Sequence, residues 1–332
     1  MRAVVLERPA PIETSPLRLR EEPQPVPGVG EILVRVTACG VCRTDLHVAE
    51  GDLPPRHSRI VPGHEVVGTV ERLGPGSARF STGERVGIAW LRQTCGTCTY
   101  CRKGRENLCP NALFTGWDHD GGYAEFAVVR EDFAYRLPAT IDDEHAAPLL
   151  CAGIIGFRAI RRAAVEPGST VGLYGFGGSA HLAIQVLKHW KCRVFVMSRG
   201  GVHRDLAAEL GADWIGDSFD NPPAPLDAAI LFAPAGELVP AAMQALDRGG
   251  ILAIAGIYLS AIPALDYERD LFYEREIRSV TANTRADGDE FLRIAGEIPI
   301  RTYTVGMDLK EANRALQQLK HDELRGAAVL FP

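Results

Sequence analysis

Several absences narrow the reading before any motif is considered. There is no basic excess: 36 Lys and Arg stand against 42 Asp and Glu, a net charge of −6, and no long block of like charge interrupts the chain. That argues against a nucleic-acid partner, which calls for a basic field. No basic segment leads into an apolar core at the start, so no secretory leader is expected and the expected location is cytoplasmic. Long apolar runs are missing too. Two charge-free windows, Gly168–Leu187 and Gly249–Leu265, contain 20 and 17 residues. The first carries five glycines with His181 and Gln185, and the second is interrupted by glycine and by Pro263. Both suit buried strands with turns better than a membrane span. Repeats and low-complexity tracts are absent. A 46% hydrophobic and 23% charged composition is ordinary for globular proteins, which sets aside disorder and collagen-like structure.

What is present begins with length. The 332 residues suggest about two domains at roughly 150 residues each, enough to bury large cores without covalent staples. The eight cysteines, at 39, 42, 95, 98, 101, 109, 151 and 192, are the informative count. In a leaderless chain of this size, clustered cysteines point to metal binding or chemistry rather than to a disulfide framework.

The two halves differ in texture. Glu31–Ala38, Glu65–Leu73, Glu84–Ala89 and Glu125–Val129 read as short strands separated by Gly/Pro turns. Their close spacing suggests an antiparallel, barrel-like domain. Beyond Cys151, apolar runs at Val171–Tyr174, Arg193–Met197, Ala228–Phe232 and Gly250–Ala255 alternate with helical patterns, around Ala180–Leu187 for example. Such alternation means βαβ units and a parallel sheet. Three prolines crowd the span between Trp214 and Ala228, so a loop is expected there in place of a crossover helix. The last ~45 residues carry one predicted helix, Leu309–Leu319, with Asp308 and Glu311 spaced as a capping box, and a final strand at Ala327–Phe331.

Cys95-x2-Cys98-x2-Cys101-x7-Cys109 places four thiols within fifteen residues. Short spacings let turns converge thiolates on a tetrahedral zinc, and with four protein ligands such a site is closed to substrate and structural. Two disulfides, four unrelated thiols and an iron–sulfur cluster are the alternatives. Gly175-x-Gly177-x-x-Ala180 follows a strand and opens a helix, as a dinucleotide site requires: glycines admit the pyrophosphate close to the helix N-terminus.

Taken with the windows GVCRTDLH (40–47), PGHEVVG (62–68), PLLCAG (148–153) and NTRAD (283–287), these elements follow the order and approximate spacing of a known family. The chain resembles the zinc-dependent medium-chain alcohol dehydrogenases over nearly its whole length. The resemblance implies an α/β plus β fold: a GroES-like distorted β-barrel catalytic domain, residues 1–151 and 287–332 with a structural zinc lobe at about 91–112, and an inserted Rossmann coenzyme domain, 152–286. It implies two zinc ions per chain. Cys95, Cys98, Cys101 and Cys109 match the structural site. Cys42, His64 and Cys151 match the catalytic ligands, two thiolates and one neutral imidazole with a fourth position open. Hydride would pass between a zinc-bound primary alcohol, or aldehyde, and nicotinamide, the metal lowering the alcohol pKa. Asp45 matches the carboxylate that orients the ligand histidine, Glu65 a carboxylate beside the metal, and Thr44 with His47 a proton relay. Cys39 and Cys192 are left as packing residues.

Within the coenzyme domain Gly175, Gly177, Gly178 and Ala180 match the phosphate turn, and Arg43 and Arg285 match pyrophosphate contacts. The strand at Arg193–Met197 ends in Ser198-Arg199, with no carboxylate until Asp205. Nothing there repels a 2′-phosphate, so NADP is favoured over NAD. Leu53, Trp90 and Trp117 fall where the family lines its substrate pocket, while Ile155 replaces a threonine common near the nicotinamide. The partners implied are a small alcohol or aldehyde and a second copy of the chain, as homodimer or homotetramer, with no nucleic acid and no membrane. Two rivals remain: a zinc-independent quinone or enone reductase of the same fold, and a four-cysteine zinc module without catalysis.

Overall fold

The computed structural model describes residues 1–324 and 326–332. It divides into two compact units, one formed by Met1–Cys151 with Ala282–Pro332 and the other by Ala152–Thr281. The chain returns to the first unit at Ala282, a few residues ahead of the 286/287 boundary expected from sequence. Asn283 explains the earlier crossing: it is buried, and its side-chain amide donates to the Tyr135 hydroxyl at 3.1 Å.

A seven-stranded sheet organises the first unit. Its order is Thr304–Asp308, Ala327–Phe331, Glu31–Gly40, Glu65–Leu73, Arg85–Ile88, Ala134–Arg136, with Phe126–Arg130 also paired to Glu31–Gly40. Glu31–Gly40 is its hub. Its Ile32 and Val34 are fully buried and join Val66, Val86 and Leu330 in one core. The pairings are antiparallel except for one: Thr304–Asp308 runs parallel to Ala327–Phe331. The expected C-terminal helix begins with a 3-10 turn, Leu309–Glu311, before Ala312–Lys320; the Asp308/Glu311 capping box is formed.

A second helix, Arg285–Glu297, was not predicted from periodicity. It opens on a capping box in which Thr284 Oγ1 accepts from Asp287 N at 3.2 Å and Asp287 Oδ2 accepts from Thr284 N at 2.7 Å. The T-x-x-D signal lay inside the NTRAD window. Phe291, Leu292 and Ile294 bury its inner face.

The second unit is a six-stranded parallel sheet in the order Trp214–Gly216, Arg193–Met197, Thr170–Tyr174, Leu226–Leu231, Leu246–Ile254, Glu276–Ser279. Numbered along the chain this is 3-2-1-4-5-6, the doubly wound arrangement of dinucleotide-binding sheets. Trp214–Gly216 and Leu226–Leu231 are joined without a helix, as the prolines require. Helices Ala152–Arg162 and Gly178–His189 approach closely at Gly156, where a Cβ would lie 2.9 Å from Ser179 O. No helix among the described residues is long and apolar enough to cross a membrane.

Removing the Thr284 cap with Thr284→Ala is expected to lower stability by about 1 kcal/mol. Urea unfolding of the two proteins checks this; an unshifted midpoint would show that the cap contributes nothing to this helix.

Candidate metal centres and dinucleotide turn

The open cluster is built from three segments far apart in sequence. Cys42 ends the extended run after Glu31–Gly40 and is the N-cap of helix Arg43–Glu50. Its sulfur accepts the Thr44 N–H at 3.3 Å, so the helix start fixes the thiol. His64 stands just before strand Glu65–Leu73, after Gly63, whose φ of +94° and close approach to the Tyr123 ring exclude a side chain. Cys151 ends the 3-10 turn Ala147–Leu150.

These segments converge. Cys42 Sγ lies 3.3 Å from His64 Nε2 and 4.0 Å from Cys151 Sγ. The donor atoms of Cys42, His64, Glu65 and Cys151 all fall within 4.8 Å of one another. Ligands at tetrahedral zinc are separated by about 3.6–3.8 Å, so the donor set fits that ion.

Asp45 organises the cluster. Its Oδ1 pairs with His64 Nδ1 at 2.9 Å, while Oδ2 accepts from Cys42 N at 3.0 Å and Tyr123 OH at 3.2 Å. The first contact leaves His64 Nε2 turned toward the two thiols. Burial pushes the Asp45 carboxyl upward, with the His64 charge opposing that rise. The hydrogen bond from the Cys151 thiol, together with His64, brings Cys42 well below the ordinary thiol range despite its burial. Cys42 is thereby the readier thiolate of the pair, and thiolate is the form that binds metal.

Glu65 is 2% exposed, and its Oε2 has no hydrogen-bond partner among the described residues. Burial and the adjacent Cys42 charge raise its pKa well above the usual range. A Cβ at Gly40 would collide with this carboxylate, so a side chain there would displace Glu65. Thr44 and His47 lie three residues apart on one short helix, and His47 Nδ1 contacts Asp52 Oδ2 at 2.7 Å. Asp52, just beyond that helix, was not among the sequence candidates; Tyr123, remote in sequence from the Asp45 carboxylate it donates to, was likewise missed.

The four-cysteine cluster is contiguous. Cys98–Cys101 and Cys95–Cys109 sulfurs are 3.5 Å apart and Cys95–Cys101 4.0 Å. Backbone N–H groups of Thr97 and Cys98 lower the Cys95 thiol to about 6. None of the eight cysteines is disulfide-bonded. Cys39 and Cys192 are buried, and burial raises both thiols, an environment for packing rather than reactivity.

In the parallel sheet, Gly175 follows strand Thr170–Tyr174 with φ +87°, and a Cβ there would lie 2.8 Å from Ala233 N. Gly177 is the N-cap of Gly178–His189, and Ala180 is fully buried. The geometry is strand, tight turn, helix, with open space over Gly177. Ser198 is buried, and its carbonyl accepts from Arg204 Nε at 2.8 Å; Arg204 also pairs with Asp217. Arg199 is exposed. Arg43 pairs with Asp322 at 2.6 Å, whereas Arg285 is engaged by Glu106 and Asp132 and lies over the Phe133 ring. Trp90 meets His64 edge-on with ring centroids 5.0 Å apart and stacks with Trp117; Leu53 packs against the barrel core.

Known proteins are similar to this chain. The alcohol dehydrogenase GroES-like domain family matches residues 28–139. Over 336 residues the chain is 55% identical to the probable alcohol dehydrogenase AdhA of Mycobacterium tuberculosis, covering 100% of this chain and 97% of that protein. An alcohol dehydrogenase of Geobacillus stearothermophilus is 34% identical, with 99% of each covered. A solved structure, the cobalt- and zinc-bound thermostable alcohol dehydrogenase from Pyrobaculum aerophilum, aligns with a TM-score of 0.89 at 28% identity, covering 100% of this chain and 99% of that one.

Asp45→Ala is expected to weaken zinc retention at the open cluster by about 10–100-fold while sparing the four-cysteine lobe. Chelator titration with metal counting checks this; equal retention by variant and wild type would contradict the role given to Asp45.

Proposed function

The chain belongs to the zinc-dependent medium-chain alcohol dehydrogenase family, and on that premise we propose that it interconverts primary alcohols and aldehydes, with NADP as hydride carrier and two zinc ions per chain. The observation that carries this reading is the convergence of Cys42, His64 and Cys151, three donors of the right chemistry with a buried carboxylate behind the imidazole. When bound, zinc polarises the alcohol oxygen and lowers its pKa, and the nicotinamide ring exchanges hydride with the alcohol carbon.

The chain's own residues supply the rest. Cys42, His64 and Cys151 hold the metal, leaving one position for substrate. Asp45 keeps the His64 proton on Nδ1, so Nε2 presents its lone pair. Thr44 takes the alcohol proton, and His47, steadied by Asp52, passes it to water. Glu65 assists ligand exchange from its buried position beside the thiols. Cys95, Cys98, Cys101 and Cys109 hold the structural ion. Gly175, Gly177, Gly178 and Ala180 bring backbone close to the pyrophosphate at the start of helix Gly178–His189. Arg43 and Arg285 are assigned to the same phosphates, which requires them to leave the carboxylates they now contact. Ser198 and the exposed Arg199 take the 2′-phosphate, and Leu53, Trp90 and Trp117 line the pocket.

A homo-oligomer is supported by the exposed apolar side chains Ile257, Tyr258, Tyr267 and Phe272 in the stretch of chain that precedes the edge strand Glu276–Ser279. The intact donor set disfavours a zinc-independent reductase, and the dinucleotide turn disfavours a bare zinc module.

Steady-state kinetics with NADPH and NADH across a panel of aldehydes tests the reading. Reduction with a higher kcat/KM for NADPH is expected. No turnover with either nucleotide would sink the dehydrogenase assignment, and a preference for NADH would sink the cofactor assignment alone. In His47→Ala, turnover is expected to slow while single-turnover hydride transfer persists; its disappearance would overturn the relay.

A further inference from the structure

A run of ring contacts begins on His64 and ends on Arg56. His64 and Trp90 meet in a T-shaped pair with centroids 5.0 Å apart; Trp90 and Trp117 lie 6.1 Å apart with planes only 10° from parallel. Phe114 stacks against both, at 5.0 and 6.0 Å. Beyond them, the Arg56 guanidinium carbon lies 4.6 Å from the Trp117 ring centroid. The Trp117 indole N–H donates to Pro54 O at 2.9 Å, which ties the ring to the segment bearing Arg56. A run of contacting, half-buried rings therefore leads from a buried candidate metal ligand to a cation.

That cation has spare donors. The Arg56 side chain is 56% exposed, and its nearest carboxylate, Asp118, is 3.8 Å away, beyond hydrogen-bond length. Asp118 Oδ2 already accepts the Phe114 N–H. Neighbouring charged groups are committed elsewhere. Arg59 holds Glu22 and Asp120, Glu7 pairs with Arg20, and His57 Nε2 contacts Asp118 O at 2.8 Å. Val48, Leu53 and Ile60 line a small depression of about 20 Å³ beside Arg56 and Trp117. A guanidinium spread on an indole face loses little freedom on binding and presents a planar fork of N–H donors, a match for a carboxylate.

We propose that Arg56 determines specificity by selecting substrates that carry a carboxylate at the far end of an aromatic body. The reacting carbon sits at the Cys42–His64–Cys151 cluster, the body runs along Trp90 and Trp117, and the carboxylate meets Arg56. This rests on the dehydrogenase reading above.

The test compares 4-formylbenzoate and the longer 4-formylcinnamate, each against its methyl ester, in wild type, Arg56→Gln and Arg56→Lys. In wild type the acid is expected to exceed its ester in kcat/KM by about tenfold at one length or both, a hydrogen-bonded charge pair being of that size. Arg56→Gln is expected to erase this ratio, Arg56→Lys to keep part of it, and added salt to shrink it. A wild-type ratio near one at both lengths, or a ratio that Arg56→Gln leaves unmoved, overturns the proposal while leaving the dehydrogenase reading intact. Turnover of neither acids nor esters overturns that reading and the proposal with it.

Discussion

The hydrogen bond between Asp45 and His64 is the contact on which the open cluster of Cys42, His64 and Cys151 depends. Both side chains are almost wholly buried, at 2% and 1% exposure. A carboxylate removed from water is costly unless its lone pairs are satisfied, and Asp45 meets that demand with three donors drawn from three segments: Cys42 N, His64 Nδ1 and Tyr123 OH. One residue thus closes a helix cap, sets an imidazole tautomer and anchors a buried tyrosine. Because Cys42 is both the capped residue and a candidate ligand, the start of helix Arg43–Glu50 and the geometry of the metal centre cannot vary independently.

The two clusters show different physical strategies. The four-cysteine lobe is local: its thiols lie within one short stretch, and backbone N–H groups pre-orient them. Little beyond that loop is needed to assemble it. The open cluster is non-local. Cys42, His64 and Cys151 come together only once Glu31–Gly40 has paired with Glu65–Leu73 and the turn Ala147–Leu150 has packed on that sheet. Closed and local suits a structural ion; open and held by long-range order suits a site that admits substrate.

This difference also governs what could be read from the sequence. Spacing alone marked Cys95, Cys98, Cys101 and Cys109. It could not join Cys42 to Cys151, and that link came only from family resemblance. Strands such as Glu65–Leu73 and Thr170–Tyr174 were legible because alternation or continuous apolarity reports burial directly. Helix Arg285–Glu297 was not, since Gly288 and its charged positions weaken its periodicity, although its Thr284 cap was visible. The parallel pairing of Thr304–Asp308 with Ala327–Phe331 was hidden because register between distant strands leaves no local trace. Tyr123, Asp52 and Arg56 escaped notice for a related reason: each acts through a partner remote in sequence or on a loop without periodicity.

The central claim is that Cys42, His64 and Cys151 form one metal centre separate from the cysteine lobe, and that reaction requires it. Native mass spectrometry of wild type and Cys42→Ser, with turnover and nucleotide binding measured on the same samples, tests this most directly. The account predicts two zinc ions per chain in wild type; in the variant it predicts one zinc, no turnover and intact nucleotide binding. Normal turnover by Cys42→Ser, or a single zinc in fully active wild type, would contradict it.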